Sequence, residues 1–453
     1  MKKTTSVILF VAIVVVSLFW LGNKIFLSNQ YLVASKSLSI VLGKPTGTTV
    51  ALNLLSAQDT SFSVVYGADL GNLDKKSRSG VLQSGVPLEV ELAGLLPDAQ
   101  YYYTIVDDKS HEIGVGKFHT ARAVGSSFTF AIQADPHMDE QSDAATYRQT
   151  LAMIGNNSPD FMIDLGDTFM TDKLSEKNEK NILDRYLLMR SFYEKTTRSV
   201  PLFFALGNHD GEAGWDFSGR DTGLALFSHA DRLSYYPNPA PNAFYSGNQI
   251  KENNQFLQDY YAFTWGDALF VVLDPYKYTA KKPNSNGWGW TLGEVQYAWL
   301  QSTLETSTAR HKFVFTHQLV GGDSQGRGGV EFAKYYEWGG NNADGSVGFA
   351  TNRPGWSKPI HRLLVDNSVE AVFKGHDHFF AKQELDGVVY QTLPQPSHAG
   401  NAVPSAQEYG YTNGTVIGGS GYLRVNVSSG NVRVDFVSAD REGTLLNSYT
   451  LGQ

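Results

Sequence analysis

The chain contains no cysteine. Disulfides and thiolate metal ligands are thereby excluded, so any metal must be held by His, Asp, Glu or Asn. No run of Lys and Arg interleaved with aromatics occurs, and the formal net charge is −8. Binding along a phosphate backbone needs clustered excess cations, so no nucleic-acid-binding surface is evident. Internal repeats are missing, and low complexity is limited to glycine-rich loops such as GGDSQGRGG. What is present is length and apolar content: 453 residues at 42% hydrophobic suffice for about two or three units with a substantial core.

The N-terminus reads MKKTTSVILFVAIVVVSLFWLGNK, two lysines followed by an apolar run from Val7 to Leu21. That is the pattern of an export signal or an anchor. A signal peptidase requires small residues soon after the run, but Phe19, Trp20 and Leu21 are bulky, and Val33 and Ser35 lie far downstream. Residues 1–30 are therefore expected to form an uncleaved membrane anchor, with Ile25 to Leu27 extending the span toward the roughly 20 residues a bilayer needs. Cleavage would instead give a secreted or periplasmic protein. In both cases Lys2 and Lys3 stay inside and the remainder is exported.

Residues 36–122 read as short strands between turns: SLSIVLG, TVALNLLS, SFSVVYG, PLEVELAGL, YYYTIV and GVGKFHTAR. This is the signal of an all-β sandwich. The stretch LAGLLPDAQYYYTIVDD resembles the end of a fibronectin type III module, with Tyr101 in the place of the corner tyrosine that ties loop to strand. From Ser126 the rhythm changes. Apolar strands (FTFAIQA, DFMIDL, PLFFAL, ALFVVL, KFVFT, EAVFK) alternate with helical stretches beginning near Ser142, near Lys173, at Leu292 and after Trp356. In LGEVQYAWLQSTLE the periodicity puts Val295, Trp299 and Leu300 toward one face. Residues 126–453 are thus expected to be an α/β or α+β layered domain, and GYLRVNVSSGNVRVDFVS a β-hairpin around Ser428 to Asn431 that adds strands to a sheet.

Metal-capable side chains follow five of these strands: Asp135 and His137, then Asp167, then Asn208, His209 and Asp210, then His317, then His376 and His378. Side chains just beyond the carboxyl ends of strands in an open α/β sheet converge on one crevice. Glycines before Asp167, Asn208 and His376 fit sharp turns that bring backbone close to a compact site.

The order D-x-H, G-D, G-N-H-D, H, G-H-x-H resembles the calcineurin-like metallophosphoesterase family over roughly residues 126–400. With the sandwich in front, the architecture is similar to that of purple acid phosphatases and their relatives. The resemblance implies an all-β, fibronectin III-like sandwich followed by an α/β four-layer metallophosphoesterase domain. It also implies a dinuclear centre of two metal ions (Fe, Mn, Zn or similar), with Asp135, His137 and His378 on the first ion and Asn208, His317 and His376 on the second. Asp167 would bridge the two, and a hydroxide between them would attack phosphorus. His209 would protonate the leaving-group oxygen, oriented by Asp210. Purple acid phosphatases carry glycine at the position of His137 and tyrosine at that of Phe169. Phe169 has no oxygen to donate, so a colourless enzyme is expected.

The segment from Gly321 to Trp356 is long, glycine-rich and aromatic, as binding loops beside active sites often are. Arg327 and Arg353 are its candidates for phosphate contact, and His398 is a third. Trp338 and Trp356 could stack on a substrate ring or pack the loop down. The GGSG at 418–421 reads as a turn, and Asp274 as a cap of the loop before Pro275. The expected function is phosphate-ester hydrolysis, foremost as a phosphomonoesterase. The alternatives are a phosphodiesterase on nucleotides or lipids, and a non-catalytic cell-surface binding protein with structural metals.

Overall fold

The structure, a computed structural model, describes residues 38–452 except 219–221, 253, 284–285, 324, 399 and 401. The expected anchor at 1–30 lies outside the described residues. No helix among those described is long and apolar enough to cross a membrane.

The first module is a seven-stranded sandwich. Ser39–Gly43, Val50–Leu55 and Leu88–Leu92 form one sheet; Lys75–Leu82, Thr60–Gly67, Gln100–Val106 and Glu112–His119 form the other, in that order. Its core is built by alternating inward residues such as Ile40, Leu52, Val64, Val90 and Ile105. The Tyr101 hydroxyl receives the Leu96 N–H at 2.9 Å, the tie expected of a corner tyrosine. Strand Lys75–Leu82 has no counterpart in the sequence reading, because KKSRSGVL lies at the sheet edge and is polar and largely exposed.

Two sheets stack in the second domain. The six-stranded sheet has Leu202–Phe204, Phe161–Asp164 and Phe128–Gln133 in parallel, then Gly421–Ser428, Asn431–Ser438 and Leu445–Leu451 antiparallel. The expected C-terminal hairpin thus pairs directly with Phe128–Gln133. The eight-stranded sheet carries Ala268–Val272, His311–Thr316, Ala371–Lys374 and Val388–Thr392 in parallel at its centre. Phenylalanines from both sheets, among them Phe130, Phe161, Phe270, Phe315 and Phe373, fill the space between. Helices Ala144–Asn157 and Glu179–Thr197 cover one outer face and Gly293–Thr306 and Ile360–Asp366 the other. The result is four layers, with strands buried on both sides and therefore apolar throughout.

Helix Gly293–Thr306 corrects one expectation. Its buried stripe is Gln296, Leu300 and Leu304 with Tyr297, an i, i+4 progression, whereas Val295 is 54% exposed. Gln296 is drawn inward because its amide serves the backbone at Asp274, with bonds of 2.9 and 2.7 Å. The long glycine-rich segment is packed down: Trp338 is buried with its N–H on the Tyr390 hydroxyl, and Trp356 stacks on Tyr297 at 4.0 Å. The two modules meet over Arg190, whose buried guanidinium reaches the Ser39 hydroxyl (3.0 Å) and both oxygens of Asn53 (2.8 and 2.7 Å).

Candidate metal centre

Parallel strands point their carboxyl ends the same way, so the loops after Gln133, Asp164, Phe204, Thr316 and Lys374 open on one crevice. Asp135, His137 and His378 offer one group of ligand atoms, all within 4.8 Å of one another; Asp167, His317 and His376 offer a second. The groups adjoin. His137 Nε2 lies 3.7 Å from both Asp135 Oδ1 and Asp167 Oδ2, and His317 Nε2 lies 3.3 Å from Asp167 Oδ2 and 3.7 Å from Asp135 Oδ1. Asn208, buried, stands at the end of the neighbouring loop, where the next N–H, that of His209, donates to Asp167 Oδ1 at 2.8 Å.

Tight turns make this convergence possible. Asp135, His137, Asp167, His376 and His378 all have φ between 51° and 72°, in the left-handed region. Gly166, at φ 95°, passes so close to Gly207 that an added Cβ would lie 2.2 Å from its amide nitrogen. Arg185 ties two loops together: its guanidinium donates to the carbonyls of Phe169 (2.7 Å), Met138 (3.0 Å) and His137 (2.6 Å).

The donor set fits metal ions. Asp135 Oδ1, His137 Nε2 and Asn208 Oδ1 are buried without a hydrogen-bond partner, and such atoms are costly unless something else satisfies them. The imidazoles are oriented by their far nitrogens. His317 Nδ1 is 2.8 Å from the Leu165 carbonyl oxygen, His376 Nε2 is 3.0 Å from that of Gln325, and His137 Nδ1 is 3.3 Å from Asp139 Oδ2. Each ring thereby presents its other nitrogen to the crevice. Burial opposes charge on Asp135 and Asp167, but His317 and the neighbouring imidazoles hold both carboxyls well below the usual range. Burial also opposes charge on His317, yet Asp167 and Asp135 push it up to about 9. Two ionised carboxylates therefore draw positive charge into the site, the place a metal ion competes for.

His209 is not bonded to Asp210, contrary to expectation. Its Nδ1 lies 2.9 Å from Asp172 Oδ2. Asp210 turns back instead: Oδ1 accepts the N–H groups of Thr168 and Phe169, and Oδ2 those of Asp167 and Gly207. Its carboxylate braces the turn that carries Asp167, while burial and the Asp167 charge push its own pKa up to about 7. Asp172 was missed because it lies 37 positions from its partner; no local motif links them.

A cleft of about 460 Å³ opens over these residues, walled by Asp139, Glu140, Lys173, His209, Arg327 and His398. Arg327 and His398 thus face the site as expected. Arg327 is also held from behind: it donates to the His376 carbonyl, sits 3.6 Å from Asp377 Oδ1 and lies over the Tyr409 ring at 4.5 Å. Arg353 does not line the cleft. It pairs with the buried carboxylate of Glu337 and donates to the carbonyls of Trp288 (2.8 Å), Trp290 (3.0 Å) and Asn352 (2.8 Å). Four of its five N–H donors are engaged in fastening its own loop. Asp274 caps its loop as expected, accepting the Tyr276 N–H at 2.8 Å. Phe169 is buried, stacked on Tyr186 at 3.9 Å and near Phe204 and Tyr236.

No curated protein matches the sequence. Among solved structures, that of PhoD superposes with a TM-score of 0.65 at 17% identity, over 91% of this chain and 89% of that one. The purple acid phosphatase PPD1 from yellow lupin (Lupinus luteus) seeds gives 0.63 at 14% identity, over 92% of this chain and 74% of that one. These likenesses concern the fold. The family model of the calcineurin-like phosphoesterases matches residues 128–380, more than half of the chain. The strand-end histidines and carboxylates fall within that span, and the chain belongs to the calcineurin-like phosphoesterases, metal-dependent hydrolases of phosphate esters.

Proposed function

We infer that the protein is a phosphomonoesterase in which His209 is the general acid. The carrying observation is the His209–Asp172 pair: a ring in the cleft wall, outside the two metal groups, whose Nδ1 is held by a carboxylate at 2.9 Å. Nε2 is then the atom that meets the substrate. Asp135, His137 and His378 would hold one ion and Asn208, His317 and His376 a second, with Asp167 between them. Two ions in such a site supply Lewis-acid activation of water and of the phosphoryl oxygens. The chain's own residues do the rest. Water adds to phosphorus, the bond from phosphorus to the leaving oxygen breaks, and His209 Nε2 passes its proton to that oxygen. Asp172 orients the ring through Nδ1. Lys173 and Arg327 in the same wall favour a substrate with high negative charge, which supports monoesters over diesters.

Phosphate release from aryl phosphate mono- and diesters, with added Mn²⁺ or Zn²⁺, tests this. The reading expects higher kcat/KM for the monoester; preference for the diester would overturn it, and no turnover of either would favour a binding role. We further infer from residues 1–30 that the protein is tethered outside the cytoplasm. Protease accessibility in intact cells, followed by carbonate extraction of membranes, would separate anchored from released protein.

A further inference from the structure

The cations of the cleft wall differ in how far the fold has already used them. Arg327 is bonded to the His376 carbonyl, His209 to Asp172, and His398 Nδ1 receives the Gly400 N–H at 3.0 Å. Lys173 lines the same cleft and is exposed, and its ammonium has no hydrogen-bond or ion-pair partner among the described residues.

Its position is nevertheless fixed. Lys173 closes the single 3-10 turn Thr171–Lys173, entered through Met170 at φ 53° and closed by its own N–H on the Met170 carbonyl at 3.2 Å. Thr171 is pinned by its hydroxyl to the Asp210 carbonyl at 2.9 Å. Asp172, between them, donates its N–H to the His209 carbonyl at 3.4 Å and holds the His209 ring through its carboxylate. One turn therefore delivers both the partner of His209 and a free ammonium to one wall. Asp139, committed to His137, and Glu140 line the same cleft. An anionic substrate is repelled by these carboxylates and drawn to the Lys173 ammonium.

We propose that Lys173 is a substrate-binding residue that contacts the non-bridging oxygens of the ester phosphate and thereby biases the site toward the dianionic monoester. This rests on the monoesterase reading and gives it a specificity residue. An ammonium bound to a phosphate oxygen makes a charge-assisted hydrogen bond, and its strength scales with the charge on that oxygen, which is greater in a monoester.

The test compares wild type, Lys173→Gln and Lys173→Arg in steady-state turnover of an aryl phosphate monoester and the diester of the same alcohol, with inorganic phosphate as inhibitor. Lys173→Gln is expected to raise the monoester KM and the inhibition constant of phosphate about ten-fold, with kcat within about two-fold. The diester KM should move by less than about three-fold, and Lys173→Arg should restore most of the monoester affinity. Unchanged KM and inhibition constant in Lys173→Gln, or equal rises for both esters, would overturn the proposal. A wild type that hydrolyses no monoester would instead sink the monoesterase reading. Calorimetric titration of both proteins with inorganic phosphate would then still decide whether Lys173 binds it.

Discussion

If His209 gives its proton to the leaving oxygen, its removal must hurt most where the leaving group is least able to depart unaided. An alkyl alkoxide needs that proton; a nitrophenolate barely does. A positioned acid contributes about 10²- to 10⁴-fold, so His209→Ala should lower kcat on an alkyl phosphate by that range and on a nitrophenyl phosphate by about ten-fold or less. Asp172 sets the smaller second step. At an effective dielectric near 20, two charges about 4 Å apart interact by roughly 4 kcal/mol. Both side chains are about a fifth exposed, at 17% and 22%, so solvent screening reduces this to about 1–2 kcal/mol. Asp172→Asn should therefore cost about ten-fold in kcat on alkyl esters. The assay is kcat against leaving-group acidity for a series of phosphate monoesters. A slope identical in wild type and His209→Ala would refute the acid role; an unchanged kcat on alkyl esters in Asp172→Asn would refute the pairing.

Further outcomes follow from other parts of the molecule. Asp210→Asn leaves one oxygen to accept four backbone N–H groups, so a loss of about 2–4 kcal/mol in stability is expected from denaturant unfolding. Glu212 is buried, which opposes its charge, but the Arg232 and His229 side chains hold its pKa down to about 2 against an ordinary 4.5. Its folded value is depressed, so the stabilisation, on the order of 3 kcal/mol, is present above pH 4.5 and is lost as pH falls toward 2. Denaturation midpoints of wild type and Glu212→Gln should therefore converge on acidification. Chelation should lower the melting temperature as well as abolish turnover, and reloading with Mn²⁺ or Zn²⁺ should restore both. Iron-loaded protein should show no visible tyrosinate band, because Phe169 offers no oxygen; such a band would mean that another phenol reaches the metal.

The candidate metal-binding cluster was legible because each of its residues stands just past an apolar strand, and parallel strands deliver their ends to one edge. Nothing in that argument requires knowing the path of the chain between strands. Asp210 shows where adjacency misleads: it neighbours His209 in sequence, but the turn that aims His209 outward sends the next carboxylate back to the amides of 167–169. Arg353 fails for a related reason. Its fate depends on Glu337, sixteen positions earlier, and on carbonyls of a loop more than sixty positions away. The edge strand Lys75–Leu82 carries few apolar residues to announce it, and Val295 was misplaced because a short helix admits several phases until its neighbours select one. The alternation of strands and helices follows from periodicity and the candidate residues from strand ends, while the four layers and the ligand set are what the family resemblance implies. Pairings across long sequence separations follow from neither periodicity nor strand ends.

The left-handed turns at Asp135, His137, Asp167, His376 and His378 bear on how fast a metal could leave. Each holds a non-glycine residue in a conformation costing about 1–2 kcal/mol, and each lies in a buried loop bonded to its neighbours. Releasing an ion means freeing a side chain whose backbone relaxes by flipping its turn, and at His137 and Asp167 that flip works against the Arg185 and Asp210 contacts. Ion exchange at a centre built on such turns is then expected to be governed by turn opening and slow compared with turnover, so that chelation and reloading should each take many turnover times.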